Sequence, residues 1–327
     1  MCIRDSLGAA GAMTVLLKDA IKPNLIQTLE GQPCLMHAGP FANIAHGNSS
    51  LIADLLGLKL GDYLVTESGF GSDMGMEKFI DIVCRAGGIR PSAVVLVATV
   101  RALKHHGGLE EAEGASKTRA REAIEAGIAN LYRHLGIVEE FGLPAVVAVN
   151  RRPEDTDEEV ELVRELAEQG GAAGAAISTG FAEGGKGTAE LAEAVAAACD
   201  GPSDLRLLYD DDDDVKSKIE AIGERIYGAA EIVYYFEAER KIRQFTDQGL
   251  AHLPVCMAKT PLSLSADPEL LGAPTGFQLP VRDVRAYTGA GWLVPLCGAI
   301  QQMPGLGKTP AAHNVDVDAQ GRTVGLF

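Results

Sequence analysis

Short apolar runs alternate with longer amphipathic stretches through the first 200 residues of the chain. The apolar runs contain few polar positions, as expected of strands that are covered on both faces of a parallel sheet. The predicted strands are 33–38, 62–67, 93–99, 144–150 and 173–179, and the predicted helices are 43–56, 72–85, 117–140, 156–169 and 187–199. Because strands and helices alternate, we expect an α/β fold with a doubly wound, mostly parallel sheet.

The predicted helix at 156–169 has the clearest ends. Thr156 is a favourable N-cap residue, and Glu159 three positions later completes a capping box. Gly170 and Gly171 follow the last amphipathic residue and end the helix.

The pattern changes near Pro202. An acidic run at 210–214 precedes a predicted helix at 214–228, where negative charge favours the amino-terminal end of the helix dipole. A helix at 237–248, short strands at 253–257, 278–287 and 292–297, and a turn at 318–321 follow. We expect an α/β domain over 7–200 and a smaller α+β domain over 201–327.

Charge and composition narrow the class of protein. The chain of 327 residues has 29 Lys and Arg against 45 Asp and Glu, a net charge of −16, which argues against a nucleic-acid or anionic-membrane partner. No apolar stretch approaches the length of a membrane span. The six cysteines form no Cys-x-x-Cys pair, which favours reduced thiols in a cytoplasmic protein.

The amino terminus does not look native. Residues 1–6, MCIRDS, are not a signal peptide, because no long apolar segment follows them. They join directly to a sequence that reads as the middle of a helix. We expect a non-native leader and a chain that starts partway through a longer protein.

Near the carboxyl terminus, PGLGKTPAA at 304–312 contains the Gly-Lys-Thr of a phosphate-binding loop. The glycine that such a loop needs five residues earlier is replaced by Gln302. Pro310 lacks the backbone N–H that the start of a phosphate-binding helix requires. We therefore interpret this stretch as a surface loop, and no other stretch of the sequence supplies a phosphate loop.

Polar residues cluster after the predicted strands, at the edge of a parallel sheet where ligands bind. Glu67, at a strand end, could hold Mg²⁺ through water together with Asp73; the alternative is a glycine-rich turn with a capping aspartate. His37, Asn43 and His46 follow the first strand and are candidate anion or substrate ligands. Lone histidines in such loops are also often structural.

The later loops carry further candidates. The amide of Asn150, with Asp155, could bind a nucleobase edge, or the pair could form a polar turn and helix cap. Phe181 lies in a glycine-rich loop where its ring could stack on a flat heterocycle or pack between domains. His106 belongs to a predicted loop tip and is a candidate substrate ligand. The sequence contains no cluster with metal-ligand spacing, no Ser-His-Asp arrangement and no dinucleotide fingerprint.

Taken together, these loops resemble one family, the formate–tetrahydrofolate ligases. The matching stretches keep the family's order from about residue 8 to the last residue. They are KDAIKPNLIQTLEG, HAGPFANIAHGNS, ESGFGSDMGMEKF, VVLVATVRALKHHGG, NRRPEDTD, LPVCMAKT, GAGWLVPLCG, MPGLGKTPAA and VGLF.

The resemblance implies a reaction and a fold. Members of this family use ATP and Mg²⁺ to convert formate to formyl phosphate, which tetrahydrofolate then attacks, and a monovalent cation such as potassium or ammonium assists. It implies a cytoplasmic homotetramer with a sheet of the phosphate-loop NTPase type. That sheet would be incomplete here, because the family's phosphate loop lies in an amino-terminal region that this chain lacks. We therefore expect an inactive fragment of the enzyme.

The resemblance also assigns residues. Phe181 matches a tryptophan that stacks on folate in relatives, Arg152 matches a phenylalanine on the other side of the ring, and Ser178 lies beside them. Asn150 and Asp155 match the segment near the nucleotide, and Glu67 and Asp73 match the loop that faces the phosphates. The Arg152 departure keeps an alternative open, a non-catalytic folate-binding or oligomerisation module of the same fold. Another phosphate-loop ATPase or ligase on a similar scaffold has only the strand–helix alternation in its favour.

Overall fold

A computed structural model describes residues 8–39, 41–109, 116–300 and 313–325 of the chain. PGLGKTPAA and the leader at 1–6 lie outside the described residues, so their predictions are not tested.

The amino-terminal part begins with helix α1, Ala10–Leu17, and a hairpin of strands β1, Asn24–Gln27, and β2, Pro33–Met36. The two strands are antiparallel, with Asn24 opposite Met36. The strand predicted at 33–38 therefore exists, but it belongs to this hairpin and not to a parallel sheet.

Helix α2, Leu51–Leu60, begins later than the prediction of 43–56. Ser50 caps it by accepting a hydrogen bond from the Ala53 amide at 3.0 Å. The preceding loop cannot be helical at Gly47, whose φ is +96° and where a Cβ would lie 2.4 Å from the Gly75 carbonyl oxygen.

The strand predicted at 62–67 is wrong. These residues form no helix or strand, and they pair with no strand among those that the structure describes. Tyr63, Leu64 and Val65 are exposed. An apolar run needs a neighbouring strand to supply its ladder of hydrogen bonds, and periodicity alone cannot show whether one is present.

Helix α3 follows, built from the π-helical stretches Ser72–Met76 and Phe79–Cys84 and the α-helical turn Arg85–Gly87. It confirms the helix predicted at 72–85. Both of its π-helical stretches are buried throughout. A wholly buried helix must also bury its polar residues, and α3 carries four charged ones in this stretch, Asp73, Glu77, Lys78 and Asp81.

A parallel sheet of three strands confirms the predicted parallel pairing of the strands at 93–99, 144–150 and 173–179. Its strands are β3, Val94–Ala98, β4, Ala145–Asn150, and β5, Gly174–Ser178, in that order across the sheet. Strand β4 is central and buried except at its last residue, which explains its uninterrupted apolar run. The helices of this region are α4, Val100–His106, α5, Lys117–Glu140, α6, Asp157–Gln169, α7, Gly180–Glu183, and α8, Ala189–Cys199.

The capping box predicted for α6 is confirmed. The Thr156 hydroxyl accepts a hydrogen bond from the Glu159 amide at 3.3 Å, and the Glu159 carboxylate accepts one from the Thr156 amide at 3.2 Å. Helix α4 was not predicted. It places His106 in its last turn, so the predicted loop tip is wrong there.

The carboxyl-terminal region contains α9, Val215–Ala221, which continues as a π-helical turn over Ile222–Tyr227. Asp214 caps it, as the acidic run predicted. A mixed sheet follows, in which β6, Glu231–Tyr234, is parallel to β7, Gln278–Tyr287, and β7 is antiparallel to β8, Trp292–Cys297. Helix α10, Phe236–Asp247, lies between β6 and β7 in the chain.

The sequence missed β6, and it predicted a strand at 253–257 that the structure reduces to single bridges such as Val255 to Leu293. A small hairpin of β9, Asp316–Val317, and β10, Thr323–Val324, encloses the turn predicted at 318–321. One apolar core contains residues from α3, β4, α5, α9 and β7. The boundary proposed at residue 200 stays a prediction, since this core lies on both sides of it in the sequence.

No helix in the described part of the chain is long and apolar enough to cross a membrane.

Candidate functional site

The carboxyl ends of β4 and β5 bring two predicted residues side by side. Asn150 is the register partner of Ser178, and each is the last residue of its strand. The Arg151 amide donates a hydrogen bond to the Ser178 carbonyl oxygen at 3.0 Å, so the backbone just beyond β4 is held against β5. Parallel strands end at one edge, which is where an α/β protein binds ligands.

Asp155 has a structural role in the loop after β4. Its buried carboxylate accepts a hydrogen bond from the Arg152 amide at 2.8 Å and closes a turn before α6. Burial raises the pKa of Asp155, and the Arg152 amide partly offsets that rise. Asp155 was predicted either to help bind a nucleobase or to form a polar turn, and the hydrogen bond to the Arg152 amide supports the turn. Arg152 itself is exposed, with its guanidinium 3.9 Å from Glu154.

Phe181 lies on the short helix α7 directly after β5, and 99% of its surface is exposed. Thr179 closes the loop that carries it, because its amide donates to the Gly187 carbonyl oxygen at 3.0 Å and its hydroxyl donates to Glu183 at 2.6 Å. The ring is therefore presented to solvent from a closed loop. Of the two interpretations of Phe181, packing between domains has no contact in the described residues to support it. We call Asn150, Arg152, Asp155, Ser178 and Phe181 the strand-end group.

A second group lies at the start of α3. Glu67 is exposed and forms no hydrogen bond or ion pair in the described chain. Between it and the helix, Phe70 and Gly71 have φ values of +70° and +92°, which make a sharp turn. The Ser72 hydroxyl lies 2.7 Å from Nδ1 of His134 on α5, and this contact fixes the first residue of α3. Burial lowers the pKa of His134, so the ring is neutral near pH 7.

Asp73 is not free to bind a ligand. Its carboxylate lies 2.8 Å from Nζ of Lys259, and both side chains are buried. The Lys259 ammonium also donates to the Thr260 and Ser263 carbonyl oxygens. A buried charge is tolerated when it is paired and hydrogen-bonded, and Lys259 meets both conditions.

Asn43 joins the same network. Its side-chain oxygen accepts a hydrogen bond from the Lys259 amide at 3.0 Å, and its carbonyl oxygen accepts one from the ammonium of Lys78 at 3.1 Å. Asn43 and Asp73, with Lys259, form what we call the helix-start group, and Glu67 precedes it in the chain without bonding to it. Lys259 links two predicted residues that are 30 positions apart in the sequence.

Glu77 and Asp81 lie one turn apart on α3, and both are fully buried. Burial raises the pKa of Glu77 well above its ordinary value, and the nearby Asp81 charge adds to that rise. Burial likewise raises the pKa of Asp81 to about 7, although the Leu208 amide and Arg85 oppose the change. With both groups ionised, both Glu77 oxygens and one Asp81 oxygen would have no donor. Burial therefore favours the protonated form of both carboxyls, which removes the two buried charges that the pair would otherwise hold.

The predicted histidines are separate from one another. His37 is bonded through its two ring nitrogens to the Ser50 hydroxyl at 2.7 Å and the Ala20 carbonyl oxygen at 2.8 Å. His46 stacks on Trp292 with 5.6 Å between ring centroids, and burial lowers its pKa. His106 accepts a hydrogen bond from the Gly272 amide at 3.1 Å, and burial lowers its pKa. Each ring has a structural partner.

The structure thus brings the predicted residues together in two groups, apart from Glu67 and the three histidines. Sequence reasoning missed Lys259, His134 and Glu77. Lys259 lies in the stretch LPVCMAKT, which carries the family resemblance through its position in the order of matching stretches. A lysine directly after an apolar run is the one signal that could have indicated a buried ion pair.

No group of three or more histidine, cysteine or acidic side chains in the described residues is arranged to hold a metal ion. Glu67 is available as a single carboxylate ligand, whereas Asp73 is occupied by Lys259. Mg²⁺ in phosphate-transfer sites commonly uses one or two carboxylates with water and substrate phosphates, and Glu67 fits that requirement.

Comparison with known proteins identifies the family of this chain. The sequence profile of the family described as "Formate--tetrahydrofolate ligase" matches residues 2–327. This chain belongs to the formate–tetrahydrofolate ligase family. A formate–tetrahydrofolate ligase of Desulforamulus reducens is 57% identical over 329 residues, covering 99% of this chain and 58% of the relative. Those of a Roseiflexus species and of Cutibacterium acnes are 54% and 50% identical, with 98% and 99% of this chain and 58% of each relative covered.

The chain therefore spans somewhat more than half the length of these formate–tetrahydrofolate ligases. At this identity the family resemblance stated from the sequence is confirmed. The mixed α/β structure with parallel strands agrees with it.

Proposed function

We propose that the natural protein is an ATP-dependent ligase that joins formate to tetrahydrofolate, and that its folate site is the strand-end group. The observation that carries the proposal is the fully exposed ring of Phe181 beside the paired strand ends Asn150 and Ser178, in a chain of this family. An apolar ring held in solvent by a closed loop is suited to stacking on a flat heterocycle. The exposed guanidinium of Arg152 offers a second planar surface.

The reaction proceeds in two steps. A formate oxygen attacks the terminal phosphorus of ATP, the bond to ADP breaks, and formyl phosphate forms. N10 of tetrahydrofolate then attacks the formyl carbon, loses its proton, and releases phosphate. Phosphorylation is needed because formate has no good leaving group, and the protein contributes by holding the two reactants together. Mg²⁺, when bound, neutralises phosphate charge, and Glu67 is the residue that would hold it through water.

We further propose that these 327 residues alone do not turn over. Phosphoryl transfer needs a lysine and free backbone amides around the phosphates. The fully buried lysines Lys78, Lys218 and Lys259 already donate to protein carbonyl oxygens or to Asp73. The cytoplasmic homotetramer, the monovalent cation and the phosphate-loop type of fold stay predictions from the family.

The test separates binding from catalysis. This polypeptide is mixed with tetrahydrofolate and titrated calorimetrically, and it is also assayed for 10-formyltetrahydrofolate with formate and ATP. We expect binding that Phe181→Ala weakens by about tenfold, which corresponds to roughly 1.4 kcal/mol, and no product. Product formation would refute the inactive fragment, and binding that Phe181→Ala leaves unchanged would refute the folate site.

The alternative, a non-catalytic folate-binding module, is favoured by one observation, the exposed Arg152 where relatives present a phenylalanine. It predicts the same binding result. The two are distinguished by product formation in the full-length protein, which only the ligase shows. A full-length protein that binds folate and forms no product would favour the module.

A further inference from the structure

The turn of the β1–β2 hairpin touches the loop that carries Phe181. The Gly185 amide donates a hydrogen bond to the Glu30 carboxylate at 2.8 Å, across 155 positions of sequence. The turn comprises residues 28–31 and lies at the end of the stretch KDAIKPNLIQTLEG.

The Glu30 carboxylate lies close against the backbone of Gly184 and Gly185 in the Phe181 loop. A Cβ on Gly184 would lie 2.5 Å from one Glu30 oxygen, and a Cβ on Gly185 would lie 2.5 Å from the other. Gly184 also has a φ of +60°, which a side chain rarely adopts. A side chain at either position would therefore displace the carboxylate from where it lies, and at Gly184 the positive φ disfavours a side chain as well.

Two large apolar side chains flank this contact, and neither is covered. Leu29 precedes Glu30 and is completely exposed, as is Phe181 four residues before Gly185. One exposed apolar side chain would not by itself indicate a binding site, since single exposed apolar residues are common. Here a hydrogen bond connects the two loops that carry them, and the strand-end group with its polar Ser178 and Asn150 lies directly before one of the loops.

We infer that the hairpin turn is part of the folate site, in which Glu30 is a positioning residue for the Phe181 loop and Leu29 contacts the pteridine ring. The inference rests on the proposed function, because it needs a flat heterocycle on Phe181. The inference adds to the folate site a contact surface from the β1–β2 turn, which is distant in sequence from Phe181. The ring would then contact Phe181 and an aliphatic side chain, an arrangement that holds a heterocycle without a second aromatic residue.

The experiment is a set of tetrahydrofolate titrations on this polypeptide. Glu30→Ala and Leu29→Ala should each weaken binding about threefold to tenfold, the range expected for one lost hydrogen bond or a partly buried leucine. Glu30→Gln keeps an acceptor oxygen for the Gly185 amide and should bind within about twofold of the parent. Glu122→Ala, an exposed glutamate on α5, is the matched control.

A second readout separates positioning from general damage. Gly185→Ala should break the same contact from the other side, so Glu30→Ala combined with Gly185→Ala should weaken binding no more than either alone. In a Phe181→Trp background, Glu30→Ala should lower the fluorescence anisotropy of the new indole, and Glu30→Gln should not. Circular dichroism and thermal unfolding must show a folded chain for each variant. If Leu29→Ala unfolds it, Leu29→Ser replaces it, with the same expected loss.

The outcomes are distinguishable. If Phe181→Ala weakens binding and the Leu29 and Glu30 variants do not, this inference is overturned and the proposed folate site survives. If Phe181→Ala has no effect, both are overturned. Additive losses in the Glu30 and Gly185 pair would also overturn the positioning role.

Discussion

Replacing Asp81 by Asn should make the stability of the protein less dependent on pH. Burial raises the pKa of this carboxyl from an ordinary value of 3.8 to about 7. Between these values the folded chain binds a proton that the unfolded chain has released. The free energy of unfolding therefore decreases as the pH rises through this window, and the contribution is complete only at lower pH.

The size of this change in the free energy of unfolding follows from the same two pKa values. A rise from 3.8 to about 7 spans roughly three pH units, and each unit corresponds to about 1.4 kcal/mol, so the wild-type chain should lose up to roughly 4 kcal/mol on this account. Asparagine carries no charge at any of these pH values. Its side-chain oxygen can still accept from the Leu208 amide, as Asp81 does at 3.0 Å. About two of these three units lie above pH 5, so the variant should gain roughly 3 kcal/mol relative to the wild type between pH 5 and pH 8.

Urea unfolding followed by circular dichroism at half-unit steps from pH 5 to 8.5 measures this difference. Asp62→Asn, at an exposed aspartate before α3, is the matched control and should leave the slope unchanged. Glu77→Gln should also flatten the slope, because burial raises the pKa of Glu77 well above its ordinary value and the amide can donate to Asp81 as the protonated acid does. Parallel curves for the wild type and Asp81→Asn would refute the assignment of a buried proton to this pair.

Two further predictions concern stability. Thr156→Ala removes the side-chain half of the capping box on α6 and should cost about 1 kcal/mol, seen as a lower urea midpoint with the same m-value; an unchanged midpoint would contradict the cap. Lys259→Met leaves the Asp73 carboxylate buried without its cation and should cost about 3–5 kcal/mol. Adding Asp73→Asn should recover part of that loss, and strictly additive losses would show that the two charges do not depend on each other.

The contrast between β4 and residues 62–67 shows how far pattern reasoning reaches. Both are apolar runs, yet only β4 has a strand on each side, β3 and β5, and only it is buried. The residues at 62–67 form no strand, and all of them except the half-buried Thr66 are exposed. The two segments are similarly apolar in sequence. Whether each forms a strand depends on a neighbouring strand that can hydrogen-bond to it, and that neighbour comes from a distant part of the chain.

Some residues of the candidate site could likewise be placed from the sequence, and others could not. Asn150 and Ser178 could be placed together from sequence, because each ends a predicted strand and parallel strands end at one edge. Asp73 could not be separated from a free catalytic carboxylate, because its partner Lys259 is 186 positions away and its burial depends on packing.

The sequence by itself determined the alternating α/β core, the capping box and the family, since each depends on residue types at short spacings or in a fixed order. Only the tertiary structure decided which polar residues are free. In the folded chain Asp73, Asn43 and the three histidines form internal contacts, whereas Glu67 and Phe181 are exposed to solvent. The physical reason is that burial and pairing are properties of surfaces brought together by folding, and a one-dimensional pattern records which residues could be buried without recording what meets them.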